Sequence, residues 1–138
     1  MLGIDLGGRR ALVTGGSRGV GAATARLLAR AGADVAISYL SRSGDADAVV
    51  EELRALGVTA FAEAADLADP DAADGLFERV HAELGGLDIV VANAGIWPVE
   101  DRPIAEMSLE QWWTTVAINL DGVFYTLRGA APLLADGG

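Results

Sequence analysis

The sequence predicts an α/β domain built on a mainly parallel sheet, and three observations carry that prediction. Apolar runs of strand length alternate four times with segments of helical period. A glycine-rich turn, from Thr14 to Gly21, joins the first run to the first helical segment. The composition is globular, with 51% apolar and 22% charged residues in 138, enough to bury a core in one domain spanning 1–138.

The first strand is expected at Ala11 to Val13, followed by a helix with Val20, Ala23, Leu27, Leu28 and Ala31 on one stripe until Gly32 stops it. Asp34 to Tyr39 makes the second strand. Asp45 to Leu56 makes the second helix, whose Val49, Val50, Leu53 and Leu56 share a face before Gly57. Val58 to Ala64 is a weaker third strand. Asp69 and Pro70 then mark a helix start, an N-cap acid before a proline at the first helical position, with Leu76, Phe77, Val80 and Leu84 aligned behind them. Leu87 to Ala92 is the clearest strand, an apolar run suited to burial on both faces.

The last helix opens with Ser108 and Gln111 as a capping box and Met107 and Trp112 as a hydrophobic staple. Its stripe runs through Trp113, Val116, Leu120, Val123, Phe124 and Leu127. Continued to about Leu134, within a helical region 108–135, it would span roughly 40 Å. The Trp112 and Trp113 pair is expected in core and interface packing.

Charge narrows the partners. With 20 acidic against 10 basic residues the net charge is −10, which argues against nucleic acid and anionic membrane. All the basic residues are arginines, so no lysine amine is on hand for chemistry. The chain has no cysteine, which excludes thiolate metal sites and cysteine nucleophiles; no metal site is expected. No stretch resembles a signal peptide or a membrane span, so a cytoplasmic protein is expected.

The turn Thr14-Gly15-Gly16-Ser17-Arg18-Gly19-Val20-Gly21 has the context of a phosphate site, after a strand and before a helix. Gly15 permits the sharp turn, Gly19 clears the approach of a pyrophosphate, and Gly21 lets helix and strand pack closely. The helix N-terminus offers N–H groups and a positive dipole end. A tight turn that binds nothing is the bland alternative. An acid at the end of the second strand would select NAD by bonding the ribose 2′-OH, but Ser38 and Tyr39 stand there. Arg18 and Arg42 offer planar donors to a 2′-phosphate, so NADP(H) is favoured over NAD(H), with Arg42 as a solvated loop charge the alternative.

The spacing G-x-x-x-G-x-G behind a threonine resembles that of the short-chain dehydrogenase/reductase family. Asp66-Leu67 after the third strand matches the family's acid-plus-apolar pair at the adenine. Asn93-Ala94-Gly95 matches its N-A-G motif after the fourth, and Asn119 to Phe124 its N-L-x-G-x-F signature. Ala92 stands where the family usually has a second asparagine, a strand-support position. The resemblance covers the whole chain and implies a Rossmann-type doubly wound parallel sheet with strand order 3-2-1-4, later strands missing. It also implies NADP-linked exchange of hydride between nicotinamide C4 and a carbonyl or alcohol carbon. Candidate cofactor-binding residues are Thr14, Gly15, Ser17, Arg18, Gly19, Val20 and Gly21 in the turn, Ser38, Tyr39 and Arg42 after the second strand, Asp66 and Leu67, and Asn93, Ala94 and Gly95.

Asn119 has two readings. A mid-helix asparagine is often a solvent-facing polar residue; by resemblance it holds a water on the proton relay of the family's Asn-Ser-Tyr-Lys set. The remaining members are expected beyond residue 138, since Tyr125 is followed four positions on by Gly129 and His81 reads as solvated. The chain is therefore expected to be the N-terminal portion of such an enzyme, truncated before the catalytic serine and Tyr-x-x-x-Lys, inactive alone, and to leave the fourth strand as an open edge. The alternative is a non-catalytic dinucleotide-binding module or partner subunit. By resemblance the loop 96–107, with Trp97, Pro98 and Pro103, lines one wall of the substrate pocket, and the long helix pairs subunits in a homo-oligomer. A hydroxylated ketone, a sugar, a steroid and an acyl thioester all stay open as substrates.

Overall fold

A computed structural model describes residues 3–98 and 100–138. Met1 and Leu2, at the start of the expected domain 1–138, and Val99, in the expected loop 96–107, lie outside the described residues. Strands β1 (Arg10–Val13), β2 (Asp34–Tyr39), β3 (Ala60–Ala64) and β4 (Ile89–Val91) form a parallel sheet in the order β3-β2-β1-β4. Helices α1 (Gly19–Arg30), α2 (Ser43–Ala55) and α3 (Pro70–Leu84) make the crossovers that parallel pairing demands. The expected strand order and doubly wound α/β fold are both present.

Strand alternation divides the core in two. Ala11, Val13, Val35, Ile37 and Ala60 point to the layer holding α1 and α2, whereas Leu12, Ala36 and Phe61 point to the layer holding α3 and the C-terminal helix. Both sets are buried because the sheet is covered on both faces. Val58 and Thr59 precede β3 rather than joining it, and β4 is shorter than the expected Leu87 to Ala92. Its three residues are only half-buried, since β4 is the edge of the sheet. Beyond it, among the described residues, Leu134 makes a single parallel bridge to the fully buried Leu87.

Helix α1 corrects the expected stripe. Its buried face is Gly21, Ala22, Ala25 and Ala29, while Ala23 is exposed, Val20 75% exposed and Leu27 58%. The small face wins because it lets the helix axis approach the sheet closely, which the larger side chains would prevent. In α2, Ala46, Val49, Val50 and Leu53 are buried, but Leu56 lies past the helix end and is about half exposed. In α3, Asp69 caps by accepting from the Asp71 N–H at 3.0 Å, Pro70 starts the helix, and Ala73, Leu76, Phe77 and Val80 are buried.

The last helical region is not one continuous α-helix. It runs as α4 (Leu109–Val116), a π segment (Ala117–Asp121), α5 (Gly122–Ala130) and a 3-10 turn (Ala131–Leu133). Only half of the capping box forms: Ser108 Oγ accepts from Gln111 N at 3.0 Å, whereas Gln111 Nε2 donates to the Glu100 carbonyl at 3.4 Å. Gly122, Thr126 and Ala130 face the core, and Gly129 lies so close to Phe77 of α3 that a Cβ would meet the ring at 2.2 Å. Of the expected apolar stripe, Trp113, Leu120, Phe124 and Leu127 are more than half exposed, as is Trp112, whereas Val116 and Val123 are partly buried; the tryptophan pair is thus not in this chain's core.

The start of β4 is tied to β1 through charge. The Asp88 carboxylate, 9% exposed, accepts from Arg10 Nε and Arg10 N at 2.9 Å each and from Arg9 Nη1 at 3.4 Å. The Arg10 guanidinium, then its backbone N–H, hold the Asp88 carboxyl below the usual carboxylate range against the opposing pull of burial. A depressed folded-state pKa means stability fully present above the unfolded value, about 4, and lost as pH falls from there through the lower folded-state value. Asp88→Asn is therefore expected to cost about 1–3 kcal/mol at pH 7. In urea titrations the gap from the parent should close toward pH 3, and a gap independent of pH would contradict this role.

Candidate functional site

The sheet changes winding direction between β1 and β4, because the chain leaves β1 toward one face and β4 toward the other. Their C-terminal ends therefore splay apart and open a crevice, the place where α/β sheets hold ligands. The turn after β1 and the loop after β4 must satisfy each other's backbone there. Thr14, buried, accepts at Oγ1 from Asn93 N and Ala94 N, both at 3.0 Å. Asn93 Nδ2 donates back to the Thr14 carbonyl at 3.0 Å and to the Gly15 carbonyl at 3.3 Å.

The glycines have separate tasks. Gly15 (φ +64°) and Gly19 (φ +55°) adopt left-handed backbone that β-carbons disfavour, and at Gly19 the space a side chain would take is open. At Gly21 a Cβ would lie 2.1 Å from the Gly15 carbonyl and 2.6 Å from Asn93 Nδ2, so only glycine lets α1 start this close to the turn. The first turn of α1 has no side-chain cap and no acid, which leaves its N–H groups and dipole end to the crevice.

The crevice has a volume of about 410 Å³. Every candidate cofactor residue lines it except Thr14, which lies beneath as its support. Ser38 is buried, and its hydroxyl accepts from Gly15 N at 3.4 Å while its carbonyl accepts from Gly16 N at 2.9 Å. Its hydroxyl braces the turn. Asp66 accepts from Ala68 N at 3.0 Å, which orients the carboxylate beside the buried Leu67. Arg42 pairs with Asp45 at 3.4 Å, whereas Arg18 is exposed and, among the described residues, makes no ion pair or side-chain hydrogen bond.

Asn119 sits in the π segment and clasps one peptide unit of the loop after β4. Its Oδ1 accepts from Ile96 N at 2.7 Å and its Nδ2 donates to the Ile96 carbonyl at 2.8 Å. Asn119 is exposed, and its carboxamide is at the same time engaged with the loop. Sequence reasoning missed Leu40, Ser41, Ala68, Ile96 and Ile118, which also line the crevice. All five adjoin residues that the sequence singles out, Ile118 through Asn119 in the π segment, so proximity in sequence was the available signal. Tyr39 lines the crevice at the β2 end, and Tyr125 packs with the core under α5, so no tyrosine stands at the β4 end.

Among the described residues no cluster of His, Asp and Glu is arranged to hold a metal, and no helix is long and apolar enough to cross a membrane. Removing the Thr14 hydroxyl at constant shape, by Thr14→Val, deprives Ala94 N–H of its acceptor and Asn93 N–H of one of two. A loss of about 1–3 kcal/mol is expected in denaturant titration, and an unchanged midpoint would show that the crevice does not depend on this node.

The profile of the short chain dehydrogenase family matches residues 9–138. A 3-oxoacyl-(acyl-carrier-protein) reductase of Staphylococcus aureus is 40% identical over 124 residues, which are 90% of this chain and 50% of the reductase. The crystal structure of a short chain dehydrogenase from Burkholderia cenocepacia in complex with NADP superposes with a TM-score of 0.92 at 46% identity, over 96% of this chain and 54% of that one. A blue fluorescent protein from a metagenomic library, in complex with NADPH, gives 0.90 at 42% identity over 97% and 54%. The chain thus spans about half the length of the relatives it matches.

Proposed function

This chain belongs to the short chain dehydrogenase family of oxidoreductases, and from that premise we propose that it forms the dinucleotide-binding part of an NADP(H)-dependent enzyme. The reaction is hydride exchange between nicotinamide C4 and a carbonyl or alcohol carbon of a small molecule. One observation carries the reading: the crevice gathers the ends of β1, β2 and β4 and the β3–α3 connection around an uncapped helix N-terminus with an unpaired arginine beside it. The open, left-handed Gly19 fits a pyrophosphate passing close to the backbone.

The dinucleotide, when bound, supplies or takes up the hydride. The residues of this chain bind and orient. The first turn of α1 holds the pyrophosphate, Asp66 and Leu67 border the adenine, and Arg18 with Arg42 meets the ribose 2′-phosphate, Arg42 after exchanging its pairing with Asp45. Asn93, Ala94 and Gly95 back the nicotinamide half. Asn119 is a positioning residue whose carboxamide keeps the Ile96 peptide in register with the crevice, on the side where the family's proton relay runs. The relay's Tyr-x-x-x-Lys pair is not among these 138 residues, which contain no lysine. We place the working enzyme in the cytoplasm as a homo-oligomer, joined through the exposed apolar face of α4 and α5.

Fluorescence titration of the chain tests the reading. NADPH should bind more tightly than NADH, and Arg18→Ala should weaken NADPH by about tenfold, the worth of one charge-assisted contact, with NADH nearly unaffected. Failure of both dinucleotides to bind would overturn the proposal, and equal affinity for the two would overturn the NADP preference.

A further inference from the structure

We propose that the free edge of β3 is a surface for pairing with a second copy of this chain, and that Arg54 holds it closed. β3 ends the sheet on the side away from β4. In parallel pairing, successive residues turn their backbone groups alternately to either side of the strand. The Val35 N–H donates to the Thr59 carbonyl and the Ala65 N–H to the Tyr39 carbonyl, both at 2.9 Å, so Thr59, Phe61, Glu63 and Ala65 face β2. Ala60, Ala62 and Ala64 therefore turn their N–H and C=O groups outward. Such a row is a template for another strand.

The edge is complementary to itself. A two-fold axis through Ala62 sets two β3 edges antiparallel, each Ala62 opposite the other and each Ala60 opposite an Ala64. Opposed residues of this kind exchange two N–H···O bonds. The same register puts Glu63 of one copy opposite Phe61 of the other. The Arg79 guanidinium stands 5.6 Å from the centroid of the Phe61 ring, so the incoming acid meets a cation. One continuous sheet would then run through both chains.

Arg54 interrupts that arrangement at both ends. It sits in the last turn of α2, only six residues before Ala60, and its Nε donates to the Ala60 carbonyl at 2.9 Å. Its Nη1 pairs with Glu51 Oε1 at 3.2 Å, which steadies the guanidinium across the edge. The Ala60 carbonyl is the acceptor that the Ala64 N–H of the other copy requires. The guanidinium stands in that place, and the two-fold axis repeats the block, so only the central Ala62 pair is left whole. A short ladder of this kind does not hold two chains together.

Amide hydrogen exchange, read residue by residue by NMR at two concentrations about tenfold apart, tests this. In the parent, the Ala62 and Ala64 N–H groups should exchange at rates independent of concentration. In Arg54→Met, and in Arg54→Gln with its shorter side chain, both should slow by at least about tenfold at the higher concentration. Adding Ala62→Pro to either variant deletes the central outward N–H without touching the bonds to β2, and Ala64 should return to the parent behaviour. Variants that exchange like the parent, or that associate while Ala62 and Ala64 stay unprotected, would overturn the proposal. So would concentration-dependent protection already present in the parent. Loss of the fold in both variants would overturn it too, since the contact would then be a requirement of β3 itself.

Discussion

The crevice depends on one polar node, the reciprocal bonding of Thr14 and Asn93 at the ends of β1 and β4. Two parallel strands whose connections leave toward opposite faces cannot continue their ladder beyond the point of divergence. Their last backbone groups would be buried and unpaired, at a cost of about 1–3 kcal/mol each. A threonine hydroxyl on one side and an asparagine amide on the other supply the missing partners from side chains. Both loops are thereby held apart at a fixed spacing, and that spacing is the width of the crevice.

Close approach is the second constraint, and it acts through small residues. Gly21 allows the first turn of α1 to sit against Gly15 and Asn93, and the alanine face behind it keeps the rest of the helix near the sheet. On the other layer Gly129 performs the same service against Phe77, with Gly122 against the Leu67 carbonyl. That packing carries the π segment to the crevice and so brings Asn119 to Ile96. The larger apolar residues of both helices are displaced outward. On α4 and α5 they form an exposed apolar face, of a kind that soluble proteins usually reserve for association.

The electrostatics of the chain are uneven in a useful way. The net charge is strongly negative, yet the turn after β1 carries an unpaired arginine and no acid in the helix that follows it. Acids collect on the outer faces of α2 and α3 and in the loop after β4, at Glu100, Asp101 and Glu106. An anionic ligand would therefore meet complementary charge at the end of the crevice lined by the turn after β1 and its Arg18. Asp88 belongs to neither pattern; held by Arg10, it is a structural charge that fastens the edge strand at its start.

The alternation of apolar runs, the turn spacing and the Asp69-Pro70 start made the elements, their order and the turn's share of the crevice lining legible from residues alone, because local conformation and strand burial are written in short stretches; Asp66, Leu67 and Asn93 to Gly95 were legible through the family resemblance of their motifs. Thr14 and Asn93 were legible as neighbours of the site, not as partners of each other. What only the tertiary structure decided was which of two apolar faces each helix buries, where the last helix breaks, and what Asn119 holds. In α1 and α5 both a small-residue face and a large-residue face follow a helical period, and periodicity cannot choose between them. The choice falls to the distance at which helix and sheet must pack, a quantity set jointly by both layers and by no single stretch of chain.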